Sequence, residues 1–179
     1  NPHGPNKDVL TDEGRKALFL ALDGQEIVDA AYGSDELAAP ANSLLTPDQV
    51  DYNPDCAGYT QDLDKAKELA ESSGLSGKTL TYIYNADRAN MEAVATVIQQ
   101  QLAKIGVNLS IEGLDSTSFF QRFFAIMFQS GEEDQWDLGT NGWDSERGSS
   151  LGQAYSYINS SSKAWGFSDE AGQLAATIH

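Results

Sequence analysis

Trp143, Asp144 and Glu146 stand together in the stretch WDLGTNGWDSERGSS, an indole and two carboxylates just past an extended-looking run. An ammonium group loses hydration on entering a cleft, and Asp144 or Glu146 could replace that hydration with a charge-assisted hydrogen bond. Trp143 could offer an aromatic face to an apolar or cationic group. A second polar group, Asn85, Asp87, Arg88 and Asn90, follows TLTYIYN and precedes the most regular helical pattern. Backbone N–H groups at that helix start, or the Arg88 guanidinium, could hold a ligand carboxylate, with Asn85 a further binding candidate. Each group also has a plainer reading. Trp143 can pack inward with both acids solvated, and Asp87 or Asn90 can serve only as turn and cap residues.

Catalysis is harder to assemble. His3 and His179 sit at the extreme ends, and Cys56 has no histidine near it in sequence, so no nucleophile, base and orienter fall together. A pair of carboxylates could hydrolyse a glycoside, but acids are so abundant here that pairing them has little specificity. Glu132, Glu133, Asp134 and Asp137 could attract calcium, yet they lack the alternating ligands and glycine of an EF-hand loop. A solvated acidic loop is the expectation there. The reading is a binding protein rather than an enzyme, with no metal and no cofactor.

The chain has 179 residues, 40% hydrophobic and 21% charged, which suits one domain with a substantial core. No segment approaches the roughly 20 apolar residues that a membrane-spanning helix needs. A formal charge of -16 repels phosphate backbones, so nucleic acid is excluded as a partner. The lone Cys56 can form no disulfide within the chain and offers neither a zinc site nor a redox pair.

Several elements must position these side chains. Thr11 or Asp12 begins a helix carrying Leu18, Ala21 and Leu22 on one stripe, and Asp23 with Glu26 forms a capping box that restarts it until Gly33. From Gly33 to Leu63 the pattern dissolves into Pro, Asn, Asp and Gly, an excursion expected to pack down through Leu44, Leu45, Tyr52 and Tyr59. Asp64 is placed to cap a helix bearing Ala66, Leu69 and Ala70, with Gly74 as its stop. TLTYIYN then reads as a strand, Met91, Val94, Ala95, Ile98, Leu102 and Ile105 as a helix ending at Gly106, and Val107, Leu109 and Ile111 as a half-buried strand.

This succession predicts a βαβ unit with parallel strands. Ser118 and Gln121 form a capping box for a helix whose Phe119, Phe120, Phe123 and Met127 belong to the core. A last strand at WDLGTNGW opens at its carboxyl end into DSERGSS, the place where open α/β sheets commonly bind ligands. The chain begins at NPHGPNKD and stops at QLAATIH inside a helical pattern, and it reads as a piece of a longer protein.

These phrases, taken in order, resemble the family 5 extracellular solute-binding proteins, the oligopeptide-, dipeptide- and nickel-binding components of bacterial ABC importers. Arg15-Lys16-Ala17-Leu18, Ala21-Leu22-Asp23 and Glu26-Ile27-Val28 match the phrase that opens the family's second lobe. Asp64-Lys65-Ala66-Lys67-Glu68-Leu69 and Gln101-Leu102-Ala103-Lys104-Ile105-Gly106-Val107 are similarly close. Gly24 departs from the basic residue that relatives often carry after the Asp, and SGEEDQ is an acidic approach to the last strand.

The resemblance implies an α/β fold, a periplasmic-binding-protein-like lobe of type II with a central mixed sheet flanked by helices. It implies that residues 1–179 form a single lobe, the second of two, with the first lobe elsewhere in the protein. The expected function is capture of a small peptide or similar polar solute by hinge closure, with delivery to an ABC permease in the membrane. A saccharide or other non-peptide solute is the alternative within the fold, and a carboxylate-dependent hydrolase the alternative outside it. The parent is expected to be a monomer, extracellular or periplasmic, anchored as a lipoprotein through an upstream segment. In peptide-binding relatives an acid shortly after the Gly-Trp pairs with the ligand's α-amino group. Here Gly142-Trp143 precedes Asp144-Ser145-Glu146; spacing favours Glu146 and residue type favours Asp144.

Overall fold

Thr11 starts the first helix through its hydroxyl, which accepts the N–H of Gly14 at 3.2 Å. In the computed structural model, residues 1–34, 36–41, 43, 45–47, 49, 52–55, 58–125 and 135–142 are described. The elements are α1 (Asp12–Ala21), α2 (Gly24–Tyr32), α3 (Leu63–Ser72), β1 (Thr79–Asn85), α4 (Met91–Ala103), β2 (Asn108–Leu114), α5 (Ser116–Ala125) and β3 (Leu138–Thr140).

Asp23 caps α2 as its spacing predicts, its carboxylate accepting the N–H groups of Gln25 at 2.9 Å and Glu26 at 3.1 Å. The reciprocal arm of the box is replaced. Gln101, fully buried on α4, accepts the Asp23 N–H at 3.1 Å, while its own amide donates to the Asp23 carbonyl at 3.2 Å and the Glu26 carboxylate at 2.8 Å. One amide side chain therefore locks α4 to the elbow between α1 and α2. Gly33, at φ 67°, supplies the left-handed exit from α2.

Two helix starts differ from the sequence expectation. Asp62, not Asp64, caps α3, because Asp62 lies in extended backbone with its carboxylate 2.9 Å from the Lys65 N–H, while Asp64 falls inside the first turn. Helix α5 begins at Ser116 rather than after Ser118. Asp115 caps it, taking the Ser118 N–H at 3.1 Å and its hydroxyl at 2.6 Å, so Ser118 serves the cap rather than being it.

The sheet has the order β2-β1-β3, and β1 pairs parallel with both neighbours. The parallel βαβ unit is thus present, and among the described residues the sheet contains no antiparallel member. Register places Tyr84 of β1 beside Gly113 of β2 and Ile83 beside Gly139 of β3. Both faces of β1 are covered, as parallel sheets require. Leu80, Tyr82 and Tyr84 join Leu18, Leu69, Leu102 and Ile105 in the larger apolar cluster. Ile83 points into the smaller one with Phe119 and Trp136, against which Phe120 and Phe123 pack. The phenylalanine run is core, as its helical spacing predicts; Met127 lies outside the described residues.

The excursion after α2 is irregular where it is described. Tyr59 stacks on Phe19 with ring centroids 5.4 Å apart, although both rings stay more than half exposed. At Tyr59 the chain therefore rests against α1 without being enclosed. Leu44 and Cys56 lie outside the described residues.

Candidate functional site

Because β1, β2 and β3 are parallel, their carboxyl ends, at Asn85, Leu114 and Thr140, share one edge. The polar residues singled out in sequence fall along it. Asn85 is 3% exposed, and its Oδ1 accepts the Asp87 N–H at 3.0 Å. Its amide also meets the Ser116 hydroxyl, at 3.1 Å from Nδ2 and 3.2 Å from Oδ1. Asp87 accepts the Ser116 N–H at 2.7 Å, and the Ala86 N–H donates to the Leu114 carbonyl at 2.7 Å. The turn after β1 is thereby fastened to the turn after β2. Asn85 sits at the expected edge with its amide engaged by these two turns.

Neither Asp87 nor Asn90 caps α4 through its side chain. Asp87 is taken up by Ser116, and Asn90, at φ 71°, makes no side-chain cap hydrogen bond. Asn90 is the one non-glycine residue at positive φ among the described residues, a backbone state that asparagine tolerates better than most.

Arg88 brings the two candidate segments together. It is exposed, and among the described residues no carboxylate pairs with it. Its Nη1 occupies the space that a Cβ on Gly142 would need, so only a residue without a side chain leaves the guanidinium where it is. Gly142 is also the last described residue of this stretch. Trp143, Asp144 and Glu146 follow it directly and lie outside the described residues.

Behind the edge, the Tyr82 hydroxyl hydrogen-bonds the Thr140 hydroxyl and joins β1 to β3. Burial pushes the Tyr82 hydroxyl above its ordinary pKa, with the Thr140 bond opposing in part, so it stays protonated in neutral solution. Gly113 makes room for its register partner, since a Cβ there would lie 2.7 Å from the Tyr84 hydroxyl.

Asp137 corrects the picture of a solvated acidic loop. It is fully buried, accepting the N–H of Asn6 at 2.8 Å, the Asn6 side-chain amide at 2.9 Å and the Thr81 N–H at 2.9 Å. Its neighbour Trp136 donates its indole N–H to the Arg122 carbonyl at 3.1 Å and stacks on Phe123 at 5.3 Å. Glu132, Glu133 and Asp134 lie outside the described residues. Among the described residues, no group of three or more His, Cys, Asp or Glu side chains could hold a metal ion, and no helix is long and apolar enough to cross a membrane.

Residues 3–165 match the model for the middle region of bacterial extracellular solute-binding proteins, family 5. The chain is 33% identical over 153 residues to the oligopeptide-binding protein OppA of Lactococcus lactis subsp. lactis, covering 76% of this chain and 25% of that one. It is 29% identical over 113 residues to the dipeptide-binding protein of Escherichia coli K12, covering 60% of this chain and 21% of the relative. The chain thus spans about a quarter or less of the length of these curated relatives. Among solved structures, the ABC transporter substrate-binding protein CtaP of Listeria monocytogenes superposes with a TM-score of 0.78 at 30% identity, over 98% of this chain and 35% of that chain.

Proposed function

This chain belongs to the bacterial extracellular solute-binding proteins of family 5, and on that premise we propose that it is one lobe of a longer receptor, capturing a small peptide for import. Residues 1–179 form the lobe, the remainder of the receptor supplies the other, and closure about a hinge encloses the ligand between them. A closed state wins only by the contacts it adds over the open one, so each lobe must present part of the site. The receptor binds its ligand without transforming it and passes it to an ABC permease. It works outside the cytoplasmic membrane, held there by a lipid anchor upstream of this segment.

The observation that supports this reading is the contact between Arg88 and Gly142 at the carboxyl edge of the parallel sheet. It puts a cation beside the chain that leads into Trp143, Asp144 and Glu146. A peptide is a zwitterion, and that edge offers a site for each end. Glu146 or Asp144 receives the ammonium, Trp143 covers the adjoining side chain, and Asn85 holds the turn in shape through Ser116.

The test is calorimetry on the full-length receptor with a tripeptide and its N-acetylated counterpart. Glu146→Ala and Asp144→Ala should each be compared with the parent. The residue that recognises the ammonium will weaken the free-amine peptide and leave the acetylated one little changed. Equal losses for both peptides in both variants would remove this pair of acids from that role.

A further inference from the structure

Asp87 and Arg88 are adjacent, exposed and of opposite charge, yet no ion pair joins them. The Asp87 carboxylate turns instead to the start of α5, where it accepts the Ser116 N–H at 2.7 Å. That N–H lies in the first turn of the helix, where no carbonyl of the helix itself can take it, so an acceptor from another segment is its natural partner. A carboxylate engaged in this way leaves the neighbouring cation unneutralised. Among the described residues no ion pair anchors the Arg88 side chain, which has its place against the Gly142 backbone.

The backbone beneath Arg88 is held more firmly. Its N–H closes a turn on the Asn85 carbonyl at 3.3 Å, and the Asp87 N–H between them goes to the Asn85 side chain at 3.0 Å. Besides the carboxylate, two ties carry this turn across to β2 and α5. They are the Ala86 N–H on the Leu114 carbonyl at 2.7 Å and the buried Asn85 amide on the Ser116 hydroxyl. Asp87 is the tie nearest to Arg88 in sequence, and the bond it makes asks only for an acceptor oxygen.

We infer that Asp87 is a positioning residue for recognition of the ligand's carboxylate. By committing its own carboxylate to Ser116 it leaves the Arg88 guanidinium open to an anion, and by fixing the turn it keeps that guanidinium beside Gly142. This inference rests on the reading of the sheet edge as a peptide-binding site.

The experiment titrates the full-length receptor by calorimetry with a tripeptide and with the same tripeptide amidated at its carboxyl end. The parent should favour the free carboxylate by about tenfold, the scale of one hydrogen bond to a charged group. Asp87→Ala should abolish that preference, whereas Asp87→Asn, whose amide oxygen can still accept the Ser116 N–H, should keep it. Both variants remove the same charge, so a residue acting only by repelling the ligand's carboxylate would give the same change in both. A purely structural role would weaken both peptides alike and leave their ratio at the parent's value. If Asp87→Ala does not fold, Ser116→Pro and Ser116→Ala repeat the comparison from the other side. Proline is tolerated at the first helical position and removes the N–H with the hydroxyl, while alanine removes the hydroxyl alone, so the preference should fall further in Ser116→Pro. Equal preferences in Asp87→Ala and Asp87→Asn would overturn the inference, as would a parent that binds both peptides equally. A parent that binds neither peptide would overturn the functional reading and the inference with it.

Discussion

The guanidinium of Arg88 rests against the backbone of Gly142, occupying the volume that any side chain at position 142 would fill. That pairing turns two stretches, far apart in the chain, into one edge of the sheet. It also separates folding from binding, because the group in the way is the free end of a flexible side chain.

Gly142→Ala should therefore fold, with Arg88 swinging aside, and its melting temperature should stay close to the parent's. Peptide affinity of the full-length receptor should fall, since a methyl group and a displaced cation alter the edge together. Thermal denaturation and calorimetry on the same preparation separate the two effects.

Gly113→Ala should behave in the opposite way. Its Cβ would meet the ring and hydroxyl of Tyr84, a buried side chain of the larger apolar cluster, which can move only by disturbing the residues packed against it. Overpacking of this kind costs about 1–3 kcal/mol, to be read from urea denaturation of the chain.

Much of this architecture is legible in the sequence because it depends on local pattern. Thr11, Asp23, Gly33 and Gly106 mark boundaries through capping or left-handed backbone, and the TLTYIYN strand declares itself by residue type. Asp62 and Asp115 were hidden because each stands near another residue equally able to cap, and only the backbone conformation decides between them.

The polar ties are less legible because their partners are distant in sequence. Asp137 looks like one more acid beside SGEEDQ until Asn6 and Thr81 are seen to converge on it. Gln101 left a fainter signal, a polar residue seven positions after Val94 on an otherwise apolar helical stripe.

Gln101→Leu tests that tie. Leucine fills the space but leaves the Asp23 N–H and carbonyl without their partners, a loss of about 1–3 kcal/mol in urea denaturation. Gln101→Leu as stable as the parent would show that the elbow between α1 and α2 does not depend on the amide.

Asp115 gives the fold a dependence on acid. Hydrogen bonds from the Ser118 side chain, then from its backbone, hold this carboxyl below its ordinary pKa. A depressed folded-state pKa stabilises the fold above the ordinary Asp value near 4 and loses that contribution as pH falls through the folded value. The melting-temperature difference between the parent and Asp115→Asn should therefore be largest near neutral pH and shrink on acidification, below about pH 4. A difference that holds constant from neutral to acid would mean the carboxylate's charge is not what the cap uses.

The proposed division of the binding site between two lobes is tested most directly by titrating the same peptide into the full-length receptor and into this chain alone, with circular dichroism confirming that the chain is folded. Removing the opposite lobe leaves one side of the ligand in water; losing about 4 kcal/mol of contacts lowers affinity roughly a thousandfold, enough to turn micromolar binding into millimolar. The expected result is clear calorimetric binding by the receptor and none at micromolar peptide by the folded chain. Equal affinity in both, or a full-length receptor indifferent to every peptide, would contradict it.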